Sequence, residues 1–72
     1  MEKVRYKFLF VCPGAEPVLV FRETRAGDAE NVARSIAKPV AKKLHAEEAV
    51  CVWMGPAGMK IPSRVRKELC AS

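Results

Sequence analysis

Three cysteines and one histidine carry the atoms that most often bind metals or act as nucleophiles. They are Cys12, Cys51, Cys70 and His45. Together they could hold a tetrahedral zinc ion, but the sequence contains no Cys-x-x-Cys pair and their spacing matches no zinc motif. A cysteine nucleophile with a histidine base would also need an orienting group or an oxyanion loop, and no such motif accompanies them. We therefore expect no catalytic residue, metal or cofactor, and we interpret Cys12 and Cys51 as small buried thiols.

Basic side chains offer a second chemistry, the binding of phosphate. The chain has 13 Lys and Arg against 8 Asp and Glu, a formal net charge of +5 and a pI near 9.5. Such a balance attracts polyanions. Three cations, Arg34, Lys38 and Lys42, fall on a single face of a predicted helix with Lys43 beside them. Another set follows in the C-terminal segment, and such groups of cations are what phosphate-contacting segments require. The candidate nucleic-acid-binding residues are Arg34, Lys38, Lys42, Lys43, Arg64, Arg66 and Lys67.

The alternative interpretation of the helical set is an ordinary solvated helix face. A further basic group, formed by Arg5, Lys7 and Arg22, lies on the predicted sheet. None of these groups is predicted to alternate with exposed aromatic residues. The sequence therefore predicts phosphate contacts without a surface on which bases could stack.

Two short segments resemble known motifs. Gly55-Pro56-Ala57-Gly58 has the GxxG spacing of the KH-type RNA-binding loop. That loop joins two helices, whereas this one follows a predicted strand, so we interpret it as a plain turn. Residues 61–69 resemble the strand-to-helix segment of swapped-hairpin transcriptional regulators and antitoxins, whose motif reads I-P-x-x-V-R-x-x-L. We take no function from that resemblance and expect a helix capped by Ser63.

The elements that must position these residues follow from a change in apolar spacing. Apolar residues alternate or cluster within residues 3–24, recur every three or four positions within residues 28–45, and return as an unbroken run at 49–54. A switch from a period of two to one near four predicts a β-β-α-β chain. Residues 59–61 could add a short edge strand. Pro39 predicts a kink in the long helix, or two short helices that meet there.

Handedness fixes the topology. A right-handed crossover from the second strand through the helix to the third strand places the first strand in the centre, in the order 2-1-3. We therefore predict an α+β fold with a three-stranded, mainly antiparallel sheet, one long Pro-kinked helix on one face, and a short C-terminal helix. Residues 1–72 form a single small domain, with 1–2 and 71–72 frayed.

The register of the first hairpin decides which residues share a face. We predict Val11 opposite Val18, because this register makes the aromatic face continuous across the hairpin. It places Lys7 opposite Arg22, which is a like-charge cost. It also leaves an apolar face that the helix does not cover. The candidate protein-interface residues are Leu9, Val11, Val18, Val20 and Trp53.

Two hypotheses for function follow. The first is a small non-enzymatic protein, nucleic-acid-associated or regulatory, that binds the phosphate backbone of DNA or RNA. The alternative is a protein-binding modulator or inhibitor, of the kind that mobile elements and viruses encode, acting through an apolar sheet face or an edge strand. We expect a homodimer, because so short a chain has a thin core. The apolar runs at residues 8–12 and 49–54 are both too short for a membrane helix. The cysteine usage favours the cytoplasm.

Overall fold

The computed structural model describes residues 2–71, with side chains as far as residue 67. Its elements are β1 (Val4–Val11), β2 (Val18–Thr24), α1 (Ala29–Lys43), β3 (Val50–Pro56) and α2 (Ser63–Ala71), with one 3-10 turn at Ala26–Asp28. The three strands form one antiparallel sheet in the order β2-β1-β3. The predicted α+β fold and its strand order are thus confirmed. The Cys70 thiol lies outside the described side chains. Fraying was predicted for residues 1–2 and 71–72, and of these residues 1 and 72 lie outside the described range.

Helix α1 continues through Pro39 as a single helix, so the alternative of two separate helices does not occur. Glu30 lies in the first turn and Lys42 and Lys43 in the last, where each charge opposes the nearer end of the helix dipole. The buried residues of α1 recur at helical spacing along one stripe. They are Ala29, Ala33, Ile36, Val40 and Ala41.

The C-terminal end of α1 is a Schellman motif with a histidine in the place usually taken by glycine. His45 has φ 55°, in the left-handed region. Its N–H donates to the carbonyl of Lys42 at 3.2 Å, and the N–H of Ala46 donates to the carbonyl of Ala41 at 2.9 Å. These bonds satisfy carbonyls that the last turn of a helix leaves without partners.

The register predicted for the β1–β2 hairpin is wrong by one residue. Phe10, rather than Val11, lies opposite Val18, and Lys7 lies opposite Phe21 instead of Arg22. A shift of one residue moves every side chain of a strand to the other face of the sheet. Val18 and Val20 therefore lie on the side of α1, and Phe21 lies on the opposite side. The observed register also avoids the like-charge pair.

Strand β3 contains a β-bulge. Leu9 pairs with Trp53 and the next residue, Phe10, pairs with Cys51, so Val52 is an extra residue in the ladder. The bulge keeps Cys51 on the helix side and Trp53 on the other side. An alternating strand of the same sequence would have put both residues on one face.

The core lies between α1 and one face of the sheet. Phe8 and Phe10 are 0% exposed and pack with Cys12 and the buried stripe of α1. The Tyr6 ring adjoins Phe8, with ring centroids 6.2 Å apart. The Cα atoms span 38 × 27 × 13 Å, and the smallest dimension corresponds to two layers of secondary structure.

The segment between β3 and α2 is a turn followed by irregular chain, so the short strand considered for residues 59–61 does not form. The N–H of Met59 donates to the carbonyl of Pro56 at 2.9 Å, which closes the turn. This is the plain turn expected for the GxxG segment. Helix α2 begins at Ser63, directly after Pro62, and its first turn includes a bond from the N–H of Val65 to the carbonyl of Pro62 at 3.0 Å.

Candidate nucleic-acid interface

The face of the sheet that points away from α1 carries cations and aromatic rings side by side. We call this surface the open face. It consists of Arg5, Lys7, Leu9 and Val11 from β1, Leu19, Phe21 and Glu23 from β2, and Val50, Trp53 and Gly55 from β3. The two-layer dimensions leave no third layer over it among the described residues.

Phe21 is the exposed aromatic ring of β2. It is 39% exposed, and Leu19 beside it is 43% exposed. The guanidinium carbon of Arg5 lies 5.2 Å from the centroid of the Phe21 ring. Glu23 is opposite Arg5 in the ladder, yet the guanidinium lies over the ring. This is a cation–π contact between neighbouring strands, of a kind that contributes ~0.5–1 kcal/mol at an exposed site.

Trp53 lies flat along β3, over Gly55. A Cβ atom built on Gly55 would come within 2.8 Å of Cη2 and 2.9 Å of Cζ2 of the Trp53 ring. Only a glycine allows the ring to approach the strand this closely. The ammonium of Lys7 lies 5.9 Å from the centroid of the ring. The indole is therefore held against the sheet, half-buried, with a cation beside it.

These groups form one row across the sheet. Lys7 lies opposite Phe21 on one side and opposite Gly55, which carries the Trp53 ring, on the other. Leu9, next along the open face, lies between Leu19 and Trp53 and is only 5% exposed. A central cation is thus flanked by two aromatic rings, above an apolar floor.

The basic residues chosen from the sequence are exposed, but the structure does not bring them to the open face. Arg34, Lys38 and Lys42 project from the helix layer, on the opposite surface of the molecule. Arg64, Arg66 and Lys67 are exposed on α2. The prediction that these residues bind phosphate is not tested by their positions.

The residues chosen as a protein interface are divided between two surfaces. Leu9, Val11 and Trp53 lie on the open face, whereas Val18 and Val20 line a groove between β2 and α1. The groove has a volume of about 710 Å³ and includes Ile36, Pro39, Val40 and Leu44 on the helix side, with Arg22 and Lys43 also in its lining. Placing the two valines on the open face was therefore incorrect, because the register differs by one residue.

The cysteines of the described core occupy separate places. Cys12 is buried, and the Cys51 thiol donates to the carbonyl of Trp53 at 3.4 Å. Burial raises the pKa of the Cys51 thiol, and hydrogen bonds with the backbone at Trp53 and Leu9 offset part of the rise. His45 is exposed at the end of α1. Among the described residues, no group of three or more His, Cys, Asp or Glu is placed to hold a metal ion.

Sequence reasoning missed Phe21 as a surface aromatic and Arg5 and Lys7 as its neighbours. Two signals could have found them. The register with Lys7 opposite Arg22 carried a like-charge cost, and the observed register replaces it with Arg5 opposite Glu23. Gly55, directly after an apolar run, marks a place where a large side chain can lie on the strand.

No protein-family model matches this chain, and neither a curated protein nor a solved structure matches it significantly. Fold and site together define a class only: a small α+β domain whose sheet presents rings and cations on one side. Among the described residues, no helix combines the length and the apolar character needed to cross a membrane.

Proposed function

We propose that this chain is a small, non-enzymatic protein that binds single-stranded nucleic acid on its open face. The observation that carries the proposal is the pairing of rings and cations on this face, Arg5 over Phe21 and Lys7 over Trp53. Proteins that bind single strands combine aromatic side chains, on which bases stack, with cations that follow the backbone. Both kinds of group are present here on adjacent strands.

The free energy of base stacking exceeds that of the cation–π contact it would replace, which favours binding. A cation–π contact at an exposed site contributes ~0.5–1 kcal/mol. A base stacked on an aromatic side chain contributes ~1–3 kcal/mol. A base that displaces Arg5 from the Phe21 ring therefore yields a net gain, and the released guanidinium can bind the adjacent phosphate. The net charge of +5 favours the same ligand at longer range.

The open face suits bases better than it suits a protein core. A surface that packs against another apolar layer would have to bury Arg5 and Lys7, and burial of unpaired cations is costly. A nucleic acid supplies stacking partners and counter-charges together. Apart from the phosphates, the contacts depend on π faces that every base has, so we expect little preference among sequences.

The deciding experiment compares two double variants that remove equal charge from opposite surfaces. Arg5→Gln with Lys7→Gln changes the open face, and Arg34→Gln with Lys38→Gln changes the helix layer. Binding to labelled single-stranded DNA and RNA of about 12 nucleotides is followed by anisotropy. We expect the open-face variant to lose about tenfold in affinity and the helix variant to lose clearly less. An equal or larger loss in the helix variant would contradict the open face as the site.

Salt and the Trp53 signal separate this proposal from the alternative of a protein-binding modulator. Binding should quench Trp53 emission, and its affinity should fall with salt between about 50 and about 300 mM. A duplex of the same length should bind more weakly, because its bases are not free to stack. If the protein does not bind oligonucleotides at low salt, and instead retains a protein partner at high salt, the alternative function is favoured.

A further inference from the structure

Strand β2 is an edge of the sheet, and the hydrogen bonds show which of its groups point outward. The carbonyl of Arg5 accepts from the N–H of Ala57 at 2.8 Å, so Arg5 directs its backbone groups toward β3. In an antiparallel ladder this direction alternates from residue to residue, so Lys7 and Leu9 do the same. Their partners on β2 therefore direct their backbone groups away from the sheet. These partners are Glu23, Phe21 and Leu19.

The two edges of the sheet differ in how they are protected against pairing. The ladder of β3 is interrupted by the bulge at Val52 and the strand ends at Pro56, and both features discourage a further strand. Strand β2 contains neither a proline nor a bulge within its described range. One outward carbonyl, that of Phe21, accepts a hydrogen bond from Nη1 of Arg22 at 2.7 Å. This exposed contact partly blocks the outer edge of β2 against pairing with another strand.

We infer that a second copy of this chain occupies this edge, with its β2 antiparallel to the first and Phe21 opposite Phe21 of the second copy. This inference rests on the proposed function only in what it adds to the binding surface. Phe21 is the middle of the seven-residue strand, so this register pairs all of its residues. The opposed pairs are Val18–Thr24, Leu19–Glu23, Val20–Arg22 and Phe21–Phe21.

This register is also compatible with the charges and the backbone hydrogen-bonding groups of the two strands. No two like charges lie opposite each other, whereas a dyad at Arg22 would oppose two arginines. The outward-pointing residues of one copy meet outward-pointing residues of the other, as an antiparallel ladder requires. Formation of the pair displaces Arg22 from the Phe21 carbonyl, which is an exposed contact and hence inexpensive to break.

The pairing would extend the binding surface across two copies. A twofold axis perpendicular to the sheet keeps both open faces on the same side. The row of Trp53 ring, Lys7 and Phe21 then continues into Phe21, Lys7 and the Trp53 ring of the second copy, over six strands or ~24 Å at ~4.8 Å per strand. The second copy thus contributes a ring and a cation adjacent to Phe21, and a longer single strand could stack along the whole row.

The test uses two substitutions at one position. Leu19→Pro removes an outward N–H without touching a bond to β1, and Leu19→Ala removes side-chain contacts but keeps the N–H. Sedimentation equilibrium without nucleic acid, between about 1 μM and about 1 mM protein, measures the dimer. We expect the wild type and Leu19→Ala to dimerise and Leu19→Pro to weaken the dimer by about tenfold or more. Because both copies carry a positive net charge, added salt should strengthen the dimer while it weakens oligonucleotide binding.

Amide hydrogen exchange of the wild type gives a second readout that needs no variant. The N–H groups of Leu19, Phe21 and Glu23 should exchange rapidly in dilute protein and slowly in concentrated protein. A monomer at all concentrations, or a dimer in which these three amides still exchange rapidly, would overturn the inference. Binding of an oligonucleotide of about 5 nucleotides by the wild type, at a dilution where it is monomeric, tests the proposed function separately, because each copy carries its own Phe21 and Trp53. Absence of that binding, in a protein that still dimerises when concentrated, would count against the proposed function and not against the edge pairing.

Discussion

Strand β1 sends alternate side chains to two faces of the sheet that differ in what lies next to their aromatic rings. On the helix side, Phe8 and Phe10 are 0% exposed among aliphatic residues of α1. On the open face, Phe21 and Trp53 lie beside Arg5 and Lys7. The rings on the first side stabilise the fold by burial, whereas those on the second retain accessible π surface and nearby charge. Under the proposed function, strand β1 divides stability and binding between the two faces of the sheet.

The largest effect should come from Phe8→Ala. Deletion of a fully buried phenylalanine costs ~3–5 kcal/mol, comparable to the whole free energy of unfolding of a small domain. Phe21→Ala should cost about 1 kcal/mol, because that ring is already partly exposed. Urea unfolding followed by circular dichroism measures both changes. Similar losses in the two variants would remove the distinction between the faces.

A smaller effect is expected where the backbone supports the Trp53 ring. Gly55→Ala would place a Cβ 2.8 Å from Cη2 of Trp53, so the ring must leave the sheet, at a cost of about 1–2 kcal/mol. Gly58→Ala meets no atom within 4 Å and serves as the control. We expect a shift of the Trp53 emission and weaker oligonucleotide binding in Gly55→Ala alone. An unchanged emission spectrum would show that the ring is not held by Gly55.

His45→Gly should stabilise the helix layer without changing the open face. A residue with a Cβ is strained at φ 55°, and glycine relieves about 1 kcal/mol of that strain. His45→Ala keeps the Cβ and should bring no such gain. Thermal unfolding measures the stability, and affinity for single-stranded DNA should be unchanged in both variants. A loss of affinity would mean that the two layers are coupled.

The smallest effect concerns Cys51, which lies on the covered side beneath the open face. Because burial raises the pKa of its thiol, the reactive thiolate is scarcer near pH 8 than in an exposed cysteine. Alkylation of Cys51, followed by peptide mass spectrometry, should therefore be slower than that of an unstructured cysteine peptide. The folded state favours the protonated thiol, so this contribution to stability is complete below the unfolded pKa and is lost as pH rises through the folded pKa. Alkylation as fast as in the peptide would contradict the burial.

The covered side of this molecule could be predicted from sequence more completely than the open side. The apolar spacing from Val32 to Leu44 predicts which face of the helix is buried. A helix rotated about its axis to any other orientation would expose these apolar side chains to water. The handedness of the crossover then determines the strand order. These features depend on local periodicity and on topology, both of which are present in a single sequence.

The composition of the open face could not be predicted from the sequence, because it depends on shifts of one residue in strand register. A slip of one residue exchanges Val20 for Phe21 across the sheet, and both alternatives are apolar. The bulge at Val52 is equally hidden, since an unbroken apolar run gives no alternation from which to detect an extra residue. Whether the cations of α1 and α2 bind phosphate stays a prediction.

The bulge at Val52 has a consequence for how the length of this chain can change. If Val52 were deleted, Cys51 and Trp53 would become neighbours and would still alternate between the two faces, opposite Phe10 and Leu9 as before. A deletion within the paired residues of β1 would instead exchange the buried set for the exposed set. Val52 is therefore a position where the loss of one residue is nearly silent for both faces, and shortening of this chain in descendants of the sequence is expected to be tolerated there.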